Sequence, residues 1–232
     1  MTRLSKSQIN KLGERLRRTA VPIEADLRSL NEFVTDQDPI RLDVETAVRQ
    51  LIPEAEPPTS RLKTQVSILE KLRRQHTSLF KMQDIAGVRL VTRGGRSEQD
   101  VFTSRLLEHW SNSKLYDRRE QPQHGYRAVH VVVHVGERPV EIQVRTKWQH
   151  LWAEMFEKLA DRWGRSIRYG GPPDPRFDPK DDTIPFLQTI ADHIAFFEAI
   201  EQNRGLAAIG DSLAVIEREI KNLRKVLLSE EQ

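Results

Sequence analysis

The stretch that most constrains the fold is YRAVHVVVHV (126–135), followed by GERP (136–139) and VEIQVRT (140–146). Two runs rich in β-branched residues on either side of a glycine turn predict an antiparallel hairpin, and a hairpin needs further strands or a covering helix to be stable. In the second run Val140, Ile142 and Val144 share one side while Glu141, Gln143 and Arg145 share the other, because successive strand side chains point opposite ways. The apolar side reads as core. A carboxylate, an amide and a guanidinium in a row are either an ordinary solvated face or the floor of a site.

The flanking sequence supplies helices to cover such a sheet. Residues 7–20 and 23–34 carry apolar side chains at helical spacing (Ile9, Leu12, Leu16; Leu27, Leu30, Phe33), the stretch from Asp36 to Pro39 reads as a break, and a third helix is predicted over 43–52. PEAEPPTS (53–60) reads as a proline-rich connector. Beyond it come a helix over 67–76, a short apolar strand over 84–92 and a helix over 97–110 opened by a Ser-x-x-Asp cap. The helix over 147–163 has an apolar stripe of Trp148, Leu151, Trp152, Met155, Phe156 and Leu159. Strands and helices in this order form an α+β layer pattern. The segments are 1–55, N-terminal and helical; 56–168, the core; 169–182, a loop rich in Pro, Gly and Asp; and 183–232, C-terminal helices. In the last of these Leu206, Ile209, Leu213, Ile216, Ile220, Leu223 and Leu227 form a heptad seam that either docks on its own domain or joins copies of the chain as a homo-oligomer.

Composition removes several chemistries. With no cysteine among 232 residues, thiolate metal sites, disulfides and a cysteine nucleophile are excluded. No apolar run approaches membrane length, and MTRLSKSQINKLGERLRR is polar and basic, so a cytoplasmic protein without a membrane partner is expected. A net charge of +3 is small, but 37 Lys and Arg leave room for a local phosphate-facing patch.

That patch lies in SRLKTQVSILEKLRR, where Arg61, Lys63, Ser67, Lys71, Arg73 and Arg74 fall close together at the start of a predicted helix. Cations beside free helix N–H groups suit a triphosphate. Asp84, at the mouth of its strand, and Glu141, on the polar face of another, could share a divalent cation; Mg²⁺ accepts a few carboxylate oxygens together with phosphates and waters. Arg89 sits inside an apolar strand, where a guanidinium needs an anionic or stacked partner. Tyr126 follows a glycine and can present its ring to a base. His130, four residues on, would share its strand face. Together these residues describe metal-assisted phosphoryl or pyrophosphoryl transfer.

R-x-K-x-x-x-S-I-x-x-K (61–71), D-I-A-G-V-R (84–89), G-Y-R-A-V-H (125–130) and E-I-Q-V-R-T (141–146), in this order, resemble the synthetase domain of the RelA/SpoT alarmone enzymes of the stringent response, and in particular their small single-domain members. The resemblance implies a nucleotidyltransferase-like mixed sheet flanked by helices, and transfer of the β,γ-pyrophosphate of ATP to a ribose 3′-hydroxyl. It places Arg61 and Arg89 on the adenine, and Lys63, Ser67 and Lys71 on the phosphates. Asp84 and Glu141 would hold Mg²⁺, Glu141 also taking the hydroxyl proton, while Tyr126 and His130 would hold the acceptor. In guanine-nucleotide synthetases the loop before the tyrosine has a K-P-N-G-Y pattern, whereas here it reads D-R-R-E-Q-P-Q-H-G-Y (117–126). The expected acceptor is GDP or GTP. The alternatives are the 3′ end of tRNA or an adenine nucleotide in a toxin-type member with an antitoxin partner, and a nucleotide-sensing interaction protein without turnover.

Overall fold

The structure, a computed structural model, describes residues 4–75, 77–176, 183–204, 218, 220 and 221. Its elements are α1 (Lys6–Arg18), α2 (Glu24–Thr35), α3 (Asp38–Leu51), β1 (Thr59–Leu62), α4 (Gln65–Gln75), β2 (Ala86–Val91), α5 (Arg96–His109), β3 (Lys114–Asp117), β4 (Val129–Val135), β5 (Arg138–Arg145), α6 (Lys147–Trp163) and α7 (Thr183–Arg204), with short 3-10 turns at Leu79–Lys81 and Arg165–Tyr169. The strands form a mixed five-stranded sheet in the order β1-β2-β5-β4-β3. Sheet and helices together give the expected α+β architecture. No helix among the described residues is long and apolar enough to cross a membrane.

Two compact units are each assembled from three stretches of chain. Unit 1 takes Met1–Leu90, Arg105–Leu115 and His130–Gln143; unit 2 takes Val91–Ser104, Tyr116–Val129 and Val144–Gln232. In unit 1 the core joins Ile9, Leu12 and Leu16 of α1 to Leu30 and Phe33 of α2 and to Ile68 and Leu72 of α4. These are the positions that helical spacing selects. α1 begins with a capping box in which Ser5 Oγ accepts from the Gln8 N–H and Gln8 Oε1 from the Ser5 N–H. In unit 2, Trp152, Met155, Phe156 and Leu159 of α6 pack with Leu187, Ala191 and Ile194 of α7, and Trp148 is only partly buried beside them. Ile220 joins this core. The other seam positions, Leu206, Ile209, Leu213, Ile216, Leu223 and Leu227, lie outside the described residues.

Several expectations change. The stretch from Asp36 to Pro39 does not interrupt helix for long: α3 starts at Asp38 with Pro39 in its first turn, where a missing N–H costs nothing. α5 begins at Arg96, so Ser97 lies inside the helix and does not cap it. The connector 53–60 runs directly into β1, which pairs antiparallel with β2 (Thr59↔Arg89, Arg61↔Gly87). β3 is exposed along its whole length. Neither strand has apolar alternation of its own. Finally, β5 is not simply core on one side and open on the other: Glu141 and Gln143 are half-buried, but Arg138 and Arg145 at its two ends are buried. In unit 1 the Arg138 guanidinium lies over the rings of Phe33 and Phe80, with Cζ 4.8 and 5.4 Å from their centroids.

Candidate active site

Unit 1 holds most of the residues singled out in the sequence. β2 buries Ala86, Val88 and Leu90 and leaves Gly87, Arg89 and Val91 half-buried, and β5 leaves Glu141 and Gln143 half-buried in the same way. The register makes Arg61 and Arg89 diagonal neighbours on one face, since Arg61 pairs with Gly87 and Thr59 with Arg89. A Cβ added to Gly87 would stand 3.9 Å from both the Arg61 and the Glu141 carbonyl oxygens, so β1 and β5 flank β2 at this point. Two guanidiniums on one face at this spacing can take a flat base between them.

Asp84 precedes β2, and its Oδ2 lies 3.1 Å from Lys63 Nζ and 2.8 Å from Lys71 Nζ. Lys63 is held from the backbone as well, donating its N–H to the Ile85 carbonyl at 2.8 Å. Lys71 is on α4, four residues after Ser67 and therefore on the same helix face. The start of α4 is closed by Thr64, whose Oγ1 accepts from the Ser67 N–H at 3.3 Å. Not all of the basic run belongs to the site: Arg73 Nη2 donates to the carbonyls of Thr19 and Ala20 at 2.8 and 3.1 Å and ties α4 to the end of α1.

Glu141 is gripped at both oxygens. His130 Nδ1 on β4 lies 3.0 Å from Oε1, and Gln143 Nε2 donates to Oε2 at 2.7 Å. Burial pushes this carboxyl up, but the charge and hydrogen bond of His130, the Gln143 amide and the charge of Lys71 overrule it and hold it at about 2. Glu141 is therefore ionised at any physiological pH. Lys71 faces both acids, touching Asp84 directly and lowering Glu141 through its charge.

These donors suit a cation. Asp84 Oδ1 is buried and makes no hydrogen bond, and each Glu141 oxygen, engaged once, keeps a second lone-pair site. Among the described residues no group of three or more His, Cys, Asp or Glu could hold a metal. A divalent ion would thus rest on the two carboxylates together with ligand phosphates, a combination Mg²⁺ accepts.

Tyr126 belongs to unit 2 and lies before β4, not on it, so it shares no strand face with His130. It ends a tight turn. Gln123 and Tyr126 exchange backbone hydrogen bonds at 3.3 and 3.0 Å, with φ of 52° at His124 and 88° at Gly125, the geometry of a type I′ turn. Gly125 is required there: besides its positive φ, a Cβ would stand 2.7 Å from Trp152 Cζ2. His124 accepts the left-handed conformation and packs its ring against Gly170. A cavity of about 170 Å³ beside this turn is lined by His124, Tyr126, Trp152, Phe156, Arg168 and Tyr169. Sequence reasoning left Gln143 and Arg145 without roles. Their signal was the unbroken polar alternation of EIQVRT, which marks a face but not what each group touches.

Residues 60–161 match the family described as "Region found in RelA / SpoT proteins". The uncharacterized protein Rv1366 of Mycobacterium tuberculosis is 43% identical over 119 residues, which are 50% of this chain and 44% of that protein. The chain thus spans less than half the length of this relative. GTP pyrophosphokinase YjbM of Bacillus subtilis is 31% identical over 156 residues, covering 61% of this chain and 66% of that one. The crystal structure of the small alarmone synthetase 1 from Bacillus subtilis shares the fold, with a TM-score of 0.57 at 21% identity over 76% of this chain and 96% of that one.

Proposed function

Residues 60–161 of the chain belong to the RelA/SpoT family, and from that premise we propose that the protein is an ATP-dependent pyrophosphokinase that moves the β,γ-pyrophosphate of ATP onto the 3′-hydroxyl of a nucleotide, GDP or GTP. The observation that carries this reading is a charge cluster within unit 1: Lys71 touches Asp84, which also binds Lys63, and through its charge lowers Glu141, which binds His130. It is an acid pair next to ammonium groups, suited to a polyphosphate and its counter-ion. The relative YjbM is named a GTP pyrophosphokinase.

In this reading Arg61 and Arg89 take the adenine between them, and Lys63, Ser67 and Lys71 bind the phosphates. Asp84 and Glu141 hold Mg²⁺, which when bound offsets the charge gathering on the transferred group. Lys71 then exchanges a carboxylate partner for a phosphate. Glu141 accepts the proton of the attacking hydroxyl as the new oxygen–phosphorus bond forms and AMP departs. With its carboxyl held near 2 it is a weak base, and the proton it takes passes on to solvent. Tyr126 stacks on the acceptor base and His130 reaches the acceptor phosphates.

The test incubates the protein with γ-labelled ATP and Mg²⁺ and supplies GDP, GTP, AMP or deacylated tRNA in turn. Label is expected on GDP and GTP, and loss of that label is expected with EDTA or in Glu141→Gln. Label on tRNA or AMP alone would replace the acceptor and keep the reaction. Label on none, or turnover unchanged in Glu141→Gln, would refute the proposal.

A further inference from the structure

Arg145 ends the polar face of β5, yet only 2% of it is exposed and it ranks among the largest fully buried side chains of the protein. A guanidinium is costly to bury, and a protein that does so generally uses its fixed geometry. Here one fork of that geometry is directed at Tyr126. Arg145 Nη2 donates to the Tyr126 hydroxyl at 3.1 Å, and Cζ lies 5.1 Å from the Tyr126 ring centroid.

Tyr126 is held at its other end as well. Its backbone closes the type I′ turn with Gln123, and the preceding Gly125 leaves no room for a Cβ against Trp152. Trp152 is itself fixed, donating Nε1–H to the Leu187 carbonyl at 2.8 Å. With the backbone pinned by the turn, the hydroxyl bond to Arg145 holds the first side-chain torsion; the hydroxyl lies on the axis of the second, so the plane of the ring is held by the guanidinium over its face. The ring is also a wall of the 170 Å³ cavity. A wall fixed in advance binds a flat ligand more tightly than a mobile one, because less side-chain freedom is lost on binding.

We propose that Arg145 is the positioning residue for Tyr126: it fixes the plane on which the acceptor base stacks and so sets the affinity for the acceptor without touching it. This rests on the pyrophosphokinase reading above, in which Tyr126 meets the acceptor. The cation occupies one side of the ring, and the base takes the other.

The test compares wild type with Arg145→Lys, Tyr126→Phe and the double variant, each first checked for cooperative thermal unfolding. Calorimetry gives the Kd of whichever of GDP, GTP and deacylated tRNA the wild type binds most tightly, and steady-state kinetics give kcat and both KM values. Arg145→Lys keeps the charge but loses the flat fork, and should weaken acceptor binding about tenfold, within the range of base stacking on an aromatic ring. Saturating kcat and the KM for ATP should stay within about twofold. Tyr126→Phe should act in the same direction and less strongly, and the double variant should be no worse than Arg145→Lys alone. A merely structural arginine would lower the melting temperature without this split. Acceptor affinity unchanged in either variant, independent effects that multiply, or an equal loss in the KM for ATP would each overturn the proposal. If Arg145→Lys fails to fold, unchanged acceptor affinity in Tyr126→Phe decides against it. A wild type that turns over while the variants leave acceptor affinity unmoved refutes this inference alone, whereas a wild type that binds and labels no acceptor refutes the pyrophosphokinase reading and this inference with it.

Discussion

Replacing Glu141 by Gln separates electrostatics from shape at the centre of the site. The carboxyl is held at about 2 against an ordinary 4.5. At about 1.4 kcal/mol for each factor of ten, the ionised form is favoured in the folded protein by about 3 kcal/mol. The sign follows from the direction: a carboxyl with a depressed folded value adds stability that is complete above its unfolded value and is lost as the pH falls toward the folded one. The amide of Glu141→Gln can still make one hydrogen bond to His130 or Gln143, worth about 1 kcal/mol. The variant should therefore be less stable than wild type by about 2 kcal/mol at neutral pH, and the gap should close between the ordinary carboxyl value and about 2. Urea denaturation of both proteins from neutral pH down to about pH 3 measures this, because contributions from groups that do not face Glu141 cancel in the difference. A gap that stays constant with pH, or one below about 0.5 kcal/mol at neutral pH, would refute the electrostatic account of Glu141.

Glu198 should behave in the opposite sense: burial pushes its carboxyl up despite the pull of Thr146, Gln149 and Arg96, so wild type loses stability as the pH rises from the unfolded toward the folded value, and the stability of Glu198→Gln relative to wild type should grow from acid to neutral pH in the same urea series. Gly125→Ala puts a Cβ at a φ of 88° and 2.7 Å from Trp152, so a loss of about 1–3 kcal/mol and a lower melting temperature are expected by calorimetry. Lys71→Met removes an ammonium that faces both Asp84 and Glu141. The KM for ATP should rise by about tenfold or more while acceptor affinity changes little, which steady-state kinetics with each substrate varied in turn will read.

Local pattern was enough for much of this protein. The 3.6-residue spacing of Ile9, Leu12 and Leu16, and that of Trp152, Met155, Phe156 and Leu159, marked α1 and α6 and their buried faces, since a helix's own geometry sets which side chains line up. The alternation of VEIQVRT set apart Glu141 and Gln143, and glycine marked the hairpin turn at Gly136, where the structure has positive φ. What was not legible depends on partners distant in sequence. β1 and β3 have no period of their own and become strands because the edge of a neighbouring strand offers its hydrogen bonds. Lys71 looked like one cation in a basic run until the fold set Asp84 against it, and Arg145 was a member of a polar strand face without a role until the fold set it over the Tyr126 ring. Periodicity is a property of successive residues and is written along the chain. Burial and charge pairing depend on which long-range neighbours displace water from a side chain, and only the assembled units decide that.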